Sequence, residues 1–297
     1  MEIKKDFSLK TYNTFGIDAK AKFFAQVQTV DELGQILKRD EFPTKFILGG
    51  GSNILLTKNI NALVVHIAIK GISVVSENDD NVVLTVMGGE NWHETVLWTL
   101  NQGYGGLENM SLIPGNTGTA PVQNIGAYGT ELKDCFVSCE AMERTTQKLQ
   151  TFSKEDCKFG YRESFFKNEG KDLYIITSVT FKLTKKNHKL NTSYGAIEEE
   201  LTKNNIENPN IKEVSNAIIN IRNTKLPDPK ELGNSGSFFK NPVVNQSTFK
   251  RFSQENPGAP FYKISNTHYK VPAGWLIEQC GFKGKRFGDA GVHKNQA

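Results

Sequence analysis

The segment Lys45–Asn53, KFILGGGSN, constrains the fold more than any other. Four residues of strand character run straight into three successive glycines, followed by Ser52 and Asn53. A strand that ends in such a turn lets main chain approach another group closely, because no Cβ stands in the way. The flanking elements agree with an α/β unit. Asn13-Thr14-Phe15-Gly16-Ile17 reads as a turn entering a strand over Ala21–Val27. Thr29-Val30-Asp31-Glu32 reads as a capping box, opening a helix with Val30, Leu33, Ile36 and Leu37 on one face. Ile54–Leu56 and Ala62–Ile67 read as further strands. The run is not G-x-G-x-x-G and no helix period follows it, which disfavours a doubly wound nucleotide fold with its pyrophosphate on a helix N-terminus. Gly49, Gly50 and Gly51 serve either as a plain turn or as an anion-binding nest, to which Ser52 and Asn53 add side-chain donors.

A second glycine-bearing region follows. Val82–Val86 reads as a strand ending at Gly88-Gly89. Asn91-Trp92-His93-Glu94 caps a helix with Val96, Leu97 and Leu100 inward and Gly103 closing it. From Leu107 to Gly129 no regular period appears, and loops of that length commonly bind something. Within it, Pro114-Gly115-Asn116-Thr117-Gly118-Thr119-Ala120 offers small residues and backbone donors without bulk, as a loop over a diphosphate or flat ring needs. Two such loops in one chain put a cofactor site on an equal footing with plain turns.

Two side chains stand out for chemistry. Arg162, in Phe159-Gly160-Tyr161-Arg162-Glu163, is flanked by aromatics. It either forks onto a substrate carboxylate or makes a structural salt bridge. Ser237 lies in Arg222–Pro242, where Pro227 and Pro229 bar a helix, Gly233 and Gly236 permit turning, and Phe238 and Phe239 are expected to pin the serine against apolar packing. A hydrolase nucleophile elbow fails, since Gly233-Asn234-Ser235-Gly236-Ser237 lacks the last glycine. A proton donor to carbon and a rigid loop without chemistry both remain open. Leu173–Leu183 reads as a strand and Tyr194-Gly195 as a polar loop before an acidic helix, Ile197–Lys203. A second helix carries Ile211, Val214, Ile218 and Ile221, and Val271–Cys280 is a last helix with Gly281 at its end.

At 297 residues the chain has room for two or three domains. No run is apolar enough to cross a bilayer, MEIKKDFSLK has no apolar core of a signal peptide, and the cysteines, Cys135, Cys139, Cys157 and Cys280, show no C-x-x-C spacing. They read as reduced thiols of a cytoplasmic protein. The net charge of +4 suits an anionic small molecule at least as well as nucleic acid, which usually needs a denser basic face. His66, His93, His188, His268 and His293 have no partners at ligand spacing, so no metal site is expected.

Several motifs agree in order along the chain: the Asn13–Ile17 turn, Gly49–Asn53, Gly106-Leu107-Glu108-Asn109, Ile113-Pro114-Gly115, Gln123-Asn124-Ile125-Gly126-Ala127-Tyr128-Gly129, Phe159–Arg162, Thr224-Lys225-Leu226-Pro227-Asp228-Pro229 and Gly236-Ser237-Phe238-Phe239-Lys240-Asn241-Pro242. Together they resemble the UDP-N-acetylenolpyruvoylglucosamine reductases, flavoenzymes of bacterial cell-wall (peptidoglycan) precursor synthesis. The resemblance implies an α+β fold. An FAD-binding domain of the vanillyl-alcohol-oxidase (PCMH) type, about residues 17–186, would form two subdomains, 1–70 and 71–225, and a substrate-binding domain would follow over 226–297. It implies non-covalent FAD, with the pyrophosphate on Gly49, Gly50, Gly51, Ser52 and Asn53 and the other side on Pro114, Gly115, Gly118, Thr119, Ala120, Gln123 and Gly126. NADPH would donate hydride, and an enolpyruvyl ether of UDP-N-acetylglucosamine would receive it. Arg162 would hold the substrate carboxylate and Ser237 would protonate the α-carbon. Lys225 and Tyr194 would hold the diphosphate, with Asn241 and Tyr128 also on the substrate, in the subtype that closes a tyrosine over the nucleotide. A cytoplasmic monomer is expected.

The chain stops at Gly291–Ala297 with neither a terminal helix nor a polar tail, so it looks cut short. The family's catalytic glutamate is then expected beyond this end, and these 297 residues are expected to bind FAD weakly and turn over slowly or not at all, unlike a longer parent. The rivals are a flavin-binding fragment without catalysis and a sugar or lactone oxidase on the same scaffold. Such oxidases often link flavin covalently to a histidine, and none stands in sequence near Gly49–Asn53.

Overall fold

A computed structural model describes residues 1–296, and the chain divides into two compact units. The first comprises residues 1–223 and 228–234, the second residues 224–227 and 235–297.

The first unit begins with a four-stranded sheet: β1 (Ile3–Ser8), β2 (Lys20–Val27), β3 (Lys45–Leu48) and β4 (Ile60–Ile67), in the order β1-β2-β4-β3. β1 runs antiparallel to β2, while β2 and β3 both run parallel to β4. The crossover from β2 to β3 is α1 (Val30–Leu37). The Thr29 hydroxyl caps it by accepting the Glu32 N–H at 3.1 Å. The Glu32 carboxylate reaches back to the N–H of Gln28 (2.7 Å), one residue before the expected partner. Leu33, Ile36 and Leu37 bury against Ala25, Val27, Leu63, Val65 and Ile67, and the same cluster takes in Met142 and Ile175. Ile54–Leu56, read as a strand, has no regular structure. Short apolar runs carry no period of their own, and here Leu56 simply fills the opposite face of the sheet beside Leu9, Phe24 and Leu48.

The second sheet follows: β5 (Ile72–Glu77), β6 (Asn81–Met87), β9 (Phe136–Glu143), β10 (Leu149–Ser153) and β11 (Tyr174–Thr184). Their order is β10-β9-β11-β6-β5, antiparallel throughout. β6 alternates strictly, burying Val82, Leu84 and Val86. On that face lies α2 (Trp92–Asn101), capped by the Asn91 side chain. Its buried stripe is Trp92, Thr95, Val96, Thr99 and Leu100; Leu97, read as inward, is half-buried because it lies about 100° round the helix from Val96. Between α2 and β9 the chain makes three 3₁₀ turns, Glu108–Met110, Thr117–Gln123 and Leu132–Asp134, and a minimal hairpin of β7 (Gly126–Ala127) and β8 (Thr130–Glu131). α3 (Gly195–Lys203) and α4 (Ile211–Lys225) pack through Ile197, Leu201, Val214, Ile218 and Ile221.

The second unit holds a three-stranded antiparallel sheet, β12 (Val243–Asn245), β13 (Tyr262–Lys263) and β14 (His268–Lys270), in the order β12-β14-β13. With it are α5 (Gln246–Glu255), α6 (Ala273–Gln279) and a hairpin of β15 (Arg286–Phe287) and β16 (Ala290–Gly291). Its centre is aromatic: Phe249 stacks on Tyr269 at 4.0 Å and Phe252 meets Trp275 edge-on at 5.8 Å. The last helix starts two residues later than the periodicity predicts, because Pro272 takes the N-cap position and the Val271 N–H goes to the Pro242 carbonyl (3.0 Å).

Candidate functional site

Two loops of the first unit interlock. The first is Gly49–Asn53, leaving the end of β3. It is braced from the N-terminal turn, where the Asn13 amide donates to the Leu9 carbonyl (2.7 Å) and accepts the Ile17 N–H (3.1 Å). That turn returns the Thr14 N–H to the Gly51 carbonyl (3.1 Å). Gly51 has φ +61°, and a Cβ there would collide with the Tyr12 carbonyl oxygen. The second loop runs from Pro114 to Gly126 and hangs from the first turn of α2. The Trp92 N–H donates to Gly115 O (2.9 Å), the indole N–H to Met110 O (2.9 Å), and Thr95 and Thr117 share a hydroxyl contact at 3.3 Å. The His93 Nδ1 accepts the Leu112 N–H at 3.0 Å. Thr117 and Gly118 donate to Glu90 O and Gly88 O at 2.8 and 2.9 Å.

The loops meet at distances only glycine allows. A Cβ on Gly50 would lie 2.8 Å from both Gly115 Cα and Asn116 Oδ1, and one on Gly49 would lie 2.6 Å from Thr119 Cγ2. A Cβ on Gly115 would meet Ser52 Oγ at 2.9 Å, and Gly118 backs onto Gly88 Cα at the same distance. The Asn53 amide reaches Gln123 Oε1 at 3.4 Å, and Ala120 is buried behind the loop. Among the described residues, the N–H groups of Gly50, Gly51, Ser52 and Asn53 donate to no protein acceptor. A small pocket of about 130 Å³ opens here, lined by Gly49, Gly88, Gly118, Thr119, Val122 and Ile176 among others. Unspent backbone donors on closely apposed glycine main chain suit a diphosphate.

A cationic cluster forms further along this unit. Arg162 has φ +57°, at the head of a tight turn closed by Gly160 N–H to Glu163 O (3.0 Å). Lys167 holds the Arg162 carbonyl (2.9 Å), and Asn124 donates to Gly160 O (3.0 Å). The Arg162 guanidinium donates to the Gly126 carbonyl at 2.7 Å, so it is tied to the end of the second loop. Tyr128, also left-handed at φ +49°, packs edge-on to Tyr194 with ring centres 5.4 Å apart. The Tyr128 hydroxyl is hydrogen-bonded by Arg222. Burial raises the Tyr128 pKa, and the Arg222 charge pulls against that rise. Burial lowers the Arg222 pKa, Tyr128 raises it, and the Arg162 charge lowers it again. The Arg222 Nε is buried without a partner. Arg222 had no assigned role in the sequence reading. The signal was its place in the helix period just before Lys225-Leu226-Pro227.

In the second unit, Ser237 is exposed, and so are the rings expected to pin it: Phe238 is 78% and Phe239 60% exposed, touching each other edge-on. The pinning expectation is therefore wrong, since neither ring has a covering apolar surface. Asn241 is half-buried, and its Oδ1 accepts the Ala273 N–H (2.8 Å) at the start of α6. Lys225 is exposed at the end of α4. The described residues contain no cluster of metal-binding side chains and no helix long and apolar enough to cross a membrane. A histidine does lie near the first glycine loop in space: His66 on β4 pairs in register with Leu48. Its ring is engaged by Tyr12 edge-on (4.9 Å) and by Phe24.

A family model described as FAD binding domain matches residues 21–151, and one described as UDP-N-acetylenolpyruvoylglucosamine reductase, C-terminal domain, matches residues 228–297. The UDP-N-acetylenolpyruvoylglucosamine reductase of Flavobacterium johnsoniae is 65% identical over 297 residues, covering 100% of this chain and 88% of that one. Its counterpart in Pseudomonas putida is 47% identical over 298 residues, covering 99% and 87%. The crystal structure of the Thermus caldophilus enzyme superposes with a TM-score of 0.67 at 23% identity, covering 99% of this chain and 85% of that one, which establishes the shared fold. The chain therefore belongs to the UDP-N-acetylenolpyruvoylglucosamine reductase family.

Proposed function

We propose that the interlocked loops hold FAD and that this chain reduces UDP-N-acetylglucosamine enolpyruvate to UDP-N-acetylmuramate with NADPH, in peptidoglycan precursor synthesis. The observation carrying this reading is the glycine interlock with its unspent N–H groups, in a chain 65% identical to a named reductase over its whole length. When bound, the flavin supplies hydride, drawn from NADPH, to the β-carbon of the enolpyruvyl ether.

The chain's own residues then have distinct tasks. Gly49–Asn53 give backbone donors to the pyrophosphate, and Pro114, Gly115, Gly118, Thr119, Ala120, Gln123 and Gly126 form the opposing wall. Arg162, oriented by its bond to Gly126, pairs with the substrate carboxylate and stabilises the negative charge that builds on it. Ser237 gives its proton to the α-carbon. A serine hydroxyl is a weak acid, but an enolate carbon is basic enough to take the proton where cations stabilise the alkoxide left behind. Lys225 and Tyr194 bind the diphosphate, with Asn241 and Tyr128 on the remainder of the substrate. We assign residues 1–70 and 71–225 to the two FAD-binding subdomains and 226–297 to the substrate-binding domain, and read the protein as a cytoplasmic monomer.

Single-turnover absorbance on FAD-loaded protein tests this. Anaerobic NADPH should bleach the flavin, and the enolpyruvyl sugar should restore it. Bleaching without recovery would refute the substrate assignment, and failure to take up FAD would refute the cofactor assignment.

A further inference from the structure

The second loop is fastened to the first turn of α2 by contacts of different kinds. The Trp92 backbone, the Trp92 indole and the Thr95 hydroxyl cannot change protonation near neutrality. The fourth contact can. His93 Nδ1 accepts the Leu112 N–H at 3.0 Å, and an imidazole nitrogen accepts only while it carries no proton. Leu112 is a side-chain-bearing residue at φ +59°, a conformation that persists only where its surroundings enforce it. It stands two residues before Pro114, where the cofactor loop begins.

We propose that His93 is a positioning residue of the cofactor loop: by holding the Leu112 N–H it helps keep Pro114–Gly126 in the shape that receives FAD, and its protonation loosens the entry to that loop. The inference rests on the FAD reading above. The neutral tautomer carries its proton on Nε2. The charged groups facing the ring are Glu94 on its own helix and Arg222 on α4. Burial lowers the His93 pKa, Glu94 opposes this, and the Arg222 charge adds to it. The contact is therefore intact at neutral pH and is lost as pH falls through a value lower than that of an unperturbed histidine. FAD affinity should fall with it.

The test compares apo wild type, His93→Asn and His93→Leu, titrated with FAD by flavin fluorescence between about pH 8 and about pH 5, a span that brackets histidine titration. Circular dichroism confirms folding at each pH. The Asn amide oxygen can accept the Leu112 N–H at any pH, while Leu offers no acceptor. Wild type should lose on the order of ten-fold in affinity across the span, the size of one lost hydrogen bond, while His93→Asn stays level and His93→Leu is weak throughout. Identical pH curves for wild type and His93→Asn would overturn the proposal, as would wild-type affinity in His93→Leu at neutral pH. If His93→Leu fails to fold, the comparison of wild type with His93→Asn decides alone. No FAD uptake by wild type at any pH would strike the cofactor reading, whereas uptake indifferent to residue 93 would strike only this proposal.

Discussion

Gly50→Ala isolates what the glycine interlock contributes. Gly50 is not left-handed, so alanine there adds no backbone strain. The new methyl would sit 2.8 Å from Gly115 Cα, which is main chain and cannot rotate away, and 2.8 Å from Asn116 Oδ1, which can. Ordinary contact begins near 3.4 Å, so the loops must separate by several tenths of an ångström. Overpacking of this kind costs about 1–3 kcal/mol. If the separation is expressed in the geometry that receives FAD, the dissociation constant should rise by about five-fold to about a hundred-fold. Gly103→Ala is the matched control: its φ of +77° strains an alanine by about 1–2 kcal/mol, but nothing lies within 4 Å of the new methyl. It should lower Tm and leave FAD affinity unchanged. Calorimetric titration of both variants checks this. Wild-type affinity in Gly50→Ala, or equal weakening in Gly103→Ala, would refute the argument that loop contact sets cofactor binding.

Ser237→Ala should leave flavin bleaching by NADPH intact and slow the recovery on enolpyruvyl sugar by about a hundred-fold or more, as followed by stopped-flow absorbance. Arg162→Lys keeps the charge but loses the planar fork, and should lower kcat/KM by about ten- to a hundred-fold in steady-state assays. Cys139 is buried with its thiol pKa raised, first by its hydrogen bond to Cys157 and then by burial, and burial likewise raises that of Cys135. Iodoacetamide at mildly alkaline pH should therefore label native protein at exposed Cys280 and all four cysteines only after unfolding, as counted by mass spectrometry. Thr29→Ala removes the α1 cap and should destabilise the first unit by about 1 kcal/mol in urea melts.

Sequence reading succeeded where the local pattern carried the physics. The alternation of Val82, Leu84 and Val86, the Asn91 cap and the strand-into-glycine junction at Leu48 all reappear at those residues. It failed where the deciding partner is distant. Ile54–Leu56 has strand-forming residues but no neighbouring strand to pair with. Phe238 and Phe239 were expected to find apolar cover that the fold does not supply. Glycine loops were visible one at a time, but their contact was not, because nothing near Gly50 names Gly115 as its neighbour. Arg222 was hidden for the same reason: its partner Tyr128 lies far up the chain.

The placement of Gly118 also bears on how this protein comes to be folded. A Cβ on it would run into Gly88 and the Ile176 carbonyl, so the second loop is seated on a junction between β6 and β11. Those strands pair Met87 with Ser178, a contact whose loop closure encloses α2, the entire second loop, β9 and β10. Long-range antiparallel pairing of this kind is slow to nucleate. During synthesis the first glycine loop can be in place soon after β4 emerges, while its counterpart must wait for β11. The cofactor cradle is thus expected to be completed only when β11 pairs with β6, and in refolding the FAD signal should not run ahead of the far-ultraviolet signal of the sheets.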